Sequence, residues 1–167
     1  MVPMAPTTGR RLIIASWAGT AAFAATALPA AAGLRAFEAP SLAVDLLLFV
    51  GSLPLALYAL GAAAVRAARR GERITVSGLF FLSGSAPRRE QTHLLGSLGM
   101  TVAVAVATLA LSATRGSPQP FGVLVPVYPL AMTSLWGARH GTFPPIPEPT
   151  PARRAHPAAD PANAPKS

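Results

Sequence analysis

Four long apolar runs alternate with short polar stretches along the chain, and one of those polar stretches is far more basic than the others. The runs cover residues 12–34, 42–65, 94–113 and 121–137. Each falls within the roughly 17–25 residues that an α-helix needs to cross a hydrocarbon core about 30 Å thick. The pattern predicts an all-α protein, a four-helix transmembrane bundle, because helices satisfy their own backbone hydrogen bonds in lipid. Residues 1–11 then form an N-terminal segment, residues 12–140 the membrane domain, and residues 141–167 a tail.

The runs differ in detail. The first follows Arg10 and Arg11 and carries no charge. Arg-Arg before an apolar run also opens signal peptides. This run is longer than a signal core and further runs follow at once, which favours a retained helix. Ser41 reads as the N-cap of the second run, and Asp45 is the only acid within any of the four. A carboxylate inside a span marks a functional candidate, although a place in the first turn also suits the positive end of a helix. Gly51 and Pro54 predict a kink. Gly96, Ser97, Gly99, Thr101 and Ala103 in the third run predict close helix approach. The fourth run is short, and Pro126 and Pro129 around Tyr128 predict a bent or partly unwound helix. Broken helices line binding sites in some transporters, which makes Asp45 and Tyr128 a candidate intramembrane polar site. From residue 142 the chain is rich in Pro and Ala, which predicts polyproline II over residues 144–151 and a disordered tail.

Charge sets the expected orientation. The loop at residues 66–93 holds Arg66, Arg69, Arg70, Arg73, Arg88 and Arg89. With four spans both termini share its side, where Arg10, Arg11, Arg139, Arg153, Arg154 and Lys166 also lie. The other side keeps Arg35 and Arg115 alone. This asymmetry predicts cytoplasmic termini in the plasma membrane. Within the loop, residues 74–82 are too short to span and too apolar for open water. Their start alternates like a strand, and the segment is expected at the inner interface, folded against the bundle or a partner. A re-entrant plug is the alternative.

Composition narrows the function. Only 12% of residues are charged, well under the quarter usual for soluble domains, and 51% are hydrophobic. The net charge of +8 points to anionic lipid headgroups. Nucleic acid is not indicated, since the arginines flank apolar runs and are not interleaved with aromatics on one face. The chain has no cysteine, which removes disulfides, thiolate metal sites and a thiol nucleophile. His93 and His140 can meet at the basic end, but no regular ligand spacing accompanies them. Asp45 has no partner acid, the Gly-x4-Gly-Lys phosphate loop is missing, and no cofactor, metal or catalytic residue is assigned. Ser83 and Ser85 are expected to cap a helix starting near Pro87, where Arg88 and Arg89 would favour an anion.

The stretches SGLFFLSGSAPRRE (residues 77–90) and FGVLVPVYPLAMTSLWGARHGTFPP (residues 121–145) resemble those of a group of small actinobacterial integral membrane proteins with four spans. The resemblance covers roughly the second half of the chain, implies the same topology, and brings no activity or site residues. The reading is therefore a non-enzymatic accessory or scaffold protein. Its candidate contacts to anionic lipid or a partner protein are Arg69, Arg70, Arg73, Arg88 and Arg89. The alternative is a small oligomeric transporter or channel that uses the proline-broken fourth helix.

Overall fold

A computed structural model describes residues 7–116 and 121–145. Its helices are α1 (Thr7–Ala31), α2 (Glu38–Arg70), α3 (Val76–Phe80), α4 (Arg88–Ala113) and α5 (Val127–His140), with 3-10 turns at Arg35–Phe37 and Phe121–Leu124. Among the described residues the only β-type pairing is one bridge between Glu72 and Pro145. Four segments, Gly9–Ala31, Arg35–Arg70, Arg88–Ala113 and Phe121–His140, are long and apolar enough to cross a membrane. The tail expected to be disordered lies, from residue 146 on, outside the described residues.

The shortest of these segments is the centre of the bundle. Every residue from Ala131 to Ala138 is buried, and α1, α2, α3 and α4 all pack on α5. The prolines explain its shape. Residues 121–124 form a 3-10 turn and Pro126 is the N-cap of α5. Pro129 then falls in the first helical turn, where its missing N–H leaves no intrahelical bond unmade. The helix is thus interrupted before it starts and continuous afterwards.

α1 and α4 run parallel, joined by matched hydroxyls. Ser16 Oγ meets Ser97 Oγ at 2.7 Å, and one turn on Thr20 Oγ1 meets Thr101 Oγ1 at 2.9 Å. Ser97 also donates to Leu94 O, and in the threonine pair one hydroxyl donates across the seam while the other donates to the carbonyl four residues back in its own helix, Ser16 O or Ser97 O. This keeps the buried hydroxyls satisfied on a seam of small residues. α2 is the most peripheral helix. It buries Ser41, Asp45, Ser52, Ala59 and Ala63 and turns Leu47, Val50, Leu57 and Val65 outward. It stays helical through Gly51 and Pro54. At 33 residues it is about 50 Å long, so its arginine-bearing end extends past an apolar slab of membrane thickness.

Two local expectations are corrected. Ser41 does not cap α2: the helix begins earlier, at Glu38, and Ser41 is buried inside it. Residues 74–82 form no strand. Thr75 instead caps the short helix α3 by accepting from Gly78 N at 3.0 Å, and α3 lies on α5 with Leu79 buried.

Candidate functional site

The helix ends gather into two unlike poles. At one pole Gly33 (φ +89°) and Leu34 close α1, their amides bonding to Ala30 and Pro29 carbonyls in a Schellman arrangement. Arg115 donates to the Ala31 carbonyl there, supplying the cation that a helix C-terminus favours. The start of α2 and the end of α4 share this pole.

The opposite pole holds the start of α1, the end of α2, α3, the start of α4 and the end of α5. It carries every described arginine except Arg35 and Arg115. Arg66, which stands in the basic loop without being a candidate contact, proves structural. Its Nη1 donates to Ala138 O at 2.9 Å and its Nη2 to Gly141 O at 3.1 Å. Nη2 also pairs with Glu72 at 2.8 Å, and the guanidinium lies 5.5 Å from the Phe143 ring centre. One side chain thus caps α5 and ties it to α2. Arg139 is similarly engaged, over the Tyr58 ring at 5.2 Å with Nη2 3.3 Å from its hydroxyl.

The five candidate arginines are exposed. Two of them, Arg70 and Arg89, line different hollows. Arg70 reaches the flank beside α2, where Arg66, Glu72, Arg139 and Phe143 also line a hollow of about 380 Å³. Arg89 belongs to the other flank. Arg70 lies 3.7 Å from Glu72 with its side chain 67% exposed, so that pairing leaves it open to other anions. Ser83 and Ser85 do not cap α4. Its N-cap is Pro87 with no side-chain bond, and Ser85 is turned inward to donate to Gly78 O at 2.6 Å.

On the second flank α1, α4 and α5 enclose a cavity of about 710 Å³, lined by Arg10, Arg89, Glu90, His93, Trp136 and His140 together with Gly9, Ile13 and Ile14. Pattern reading brought His93 and His140 to one end but missed Arg10, Glu90 and Trp136 as their companions. The pairs 10/14, 89/93 and 136/140 each have the spacing of one helix face, a usable signal. Which faces meet depends on the parallel pairing of α1 with α4, which no local pattern reveals. The Trp136 ring is tilted on His140, with centroids 5.5 Å apart. Among the described residues no group of three acidic, His or Cys side chains is placed to hold a metal ion.

Comparison with known proteins finds no match: no protein family, curated protein or solved structure pairs with this chain.

Asp45 and Tyr128 are not brought together. Tyr128 Oη donates to Ala15 O at 2.8 Å, and its ring fills the space over Gly19. Asp45 lies farther along, beside Phe23 and Gly122. It is 3% exposed, and its Oδ1 has no hydrogen-bond partner among the described residues.

Proposed function

We propose that the chain is a multi-pass protein of the plasma membrane with its arginine-rich pole in the cytoplasm. In this reading it acts as a non-enzymatic accessory or scaffold protein that holds anionic lipid or a partner protein at that pole. The observation that carries the proposal is the joining of exposed arginines to an exposed apolar element. Val76 on α3 is 72% exposed and Phe81 just after it 49%, between Arg73 and Arg88. Apolar side chains at that level enter the headgroup boundary while the arginines meet phosphates.

The test is the lipid selectivity of the full chain in mixed bilayers, read from spin-labelled phosphatidylglycerol against phosphatidylcholine. The wild type should prefer the anionic lipid. Replacing Arg69, Arg70 and Arg73 with Gln should lower the preference at least about fivefold, since each arginine near the surface contributes on the order of 1 kcal/mol of attraction. Equal selectivity in both proteins would refute the role of these arginines.

The buried, half-unpaired Asp45 supports a second reading, a small transporter or channel whose path passes that carboxyl. Reconstituted protein would then carry protons or monovalent cations, and Asp45→Asn would abolish the flux. Equal flux from both would rule out this use of Asp45.

A further inference from the structure

Two side chains that line the cavity between α1, α4 and α5, Trp136 and Glu90, each carry a buried polar atom without a partner. Trp136 is 5% exposed, yet its Nε1–H has no acceptor. Nε1 faces Gly9 on the neighbouring wall, where a Cβ would stand only 3.1 Å away. Oε2 of Glu90 is buried and has no donor. Glu90 also forms no ion pair with Arg10 or Arg89, although all three line the same space. A buried donor and a buried acceptor each left unmade cost stability. One ligand carrying both an acceptor and a donor would satisfy them together.

We infer that this cavity binds the headgroup of an anionic phospholipid whose phosphodiester bears a hydroxylated substituent, such as glycerol. The inference rests on the membrane placement proposed above and gives that reading a specific site. Trp136 Nε1–H and the Arg10 and Arg89 guanidinium groups donate to the phosphate oxygens, and Glu90 accepts from a headgroup hydroxyl. Charge selects the class. The two arginines and one glutamate of the lining carry a single net positive charge. A phosphodiester with a neutral hydroxylated substituent balances that charge, whereas zwitterionic phosphatidylethanolamine or phosphatidylcholine does not. The apolar side of the cavity argues for a lipid over a free phosphodiester. Ile13 and Ile14 form part of the lining, and Ile14 is 56% exposed on the outer face of α1, where an acyl chain can continue. The size is that of a small-molecule site, within roughly 300–1,000 Å³.

Native mass spectrometry of the full chain, released from nanodiscs of equal parts phosphatidylglycerol, phosphatidylethanolamine and phosphatidylcholine, tests this directly. One phosphatidylglycerol should stay bound per chain, about tenfold over either zwitterionic lipid. Trp136→Phe, which keeps the ring but removes the donor, and Arg89→Gln, at an exposed position, should each cut retention about tenfold. Glu90→Ala removes the lining's one carboxylate and should not weaken the preference over phosphatidylethanolamine. The Gln variant at Arg69, Arg70 and Arg73 should keep the single bound lipid. Loss of bulk selectivity in that variant, with the bound lipid retained, separates the surface role from the cavity. Equal retention of all three lipids, or retention unaffected by both Trp136→Phe and Arg89→Gln, overturns the inference. A preference for phosphatidylethanolamine overturns the assignment of the headgroup. Competition by soluble glycerophosphoglycerol as strong as that of the lipid overturns the lipid as the source.

Discussion

Gly19 sets the distance between α1 and α5. A Cβ there would stand 2.2 Å from Tyr128 Cε1 and 2.8 Å from Cζ. The ring cannot swing away without giving up the bond from Tyr128 Oη to Ala15 O. Gly19→Ala should therefore destabilise the bundle by about 1–3 kcal/mol, the usual cost of overpacking, visible as a lower melting temperature in detergent. In a Tyr128→Ala background the same change should cost almost nothing. A penalty that persists there would show that the ring is not its source. Residue type alone revealed part of this scale. Asp45 stands out as the one acid in the apolar runs, but its burial beside Phe23 and Gly122 follows from how α2 is rotated in the bundle. The arginines of the basic loop look alike in sequence, yet Arg66 caps α5 and Arg69 is exposed.

Among the elements, the α1–α4 seam shows what holds helices together when the surroundings are as apolar as the side chains. Hydrophobic burial gives little preference for one helix face over another in lipid, so close approach and hydroxyl pairs decide. The matched bonds Ser16–Ser97 and Thr20–Thr101 fix register as well as contact, because a slip of one turn would leave a single hydroxyl pair, Ser16 with Thr101 or Thr20 with Ser97. A double-mutant cycle of Thr20→Val and Thr101→Val should give a coupling of about 0.6 kcal/mol, the typical value for such pairs in membrane proteins. A coupling of zero would mean that the hydroxyls are satisfied within their own helices, by the bonds to Ser16 O and Ser97 O. Gly96, Gly99 and Ala103 on the third apolar run are exposed, but Ser97 and Thr101 were readable as packing residues. Their partner was not, since α1 and α4 are separated by most of the membrane domain. The short helix α3 was obscured for a different reason. Five residues are too few for periodicity to tell helix from strand, and the Thr75 cap decides.

For the whole molecule, the contrast between the poles predicts orientation. Because the chain has no cysteine, a single introduced thiol gives an unambiguous label. Ala36→Cys, on the arginine-poor pole, should react with a membrane-impermeant maleimide on intact cells. Ser77→Cys, on the basic pole, should react only after lysis. The reverse pattern would place the basic pole outside and remove the basis for cytoplasmic lipid contact.

Run length, the near-absence of charge within the runs, with Asp45 the one exception, and the distribution of arginine determine by themselves that the chain makes four helices able to cross a membrane and that its basic segments lie together. These are local quantities: each helix meets its own hydrogen-bond demand, and charge avoids an apolar medium whatever the neighbours do. Tertiary structure alone decided that the short, proline-led helix is the centre, that α1 pairs in parallel with α4, and that Arg10, Arg89, Glu90 and Trp136 surround one cavity. Those outcomes depend on which faces of nearly uniform apolar helices fit closest, and fit is a property of pairs of surfaces that no single segment carries.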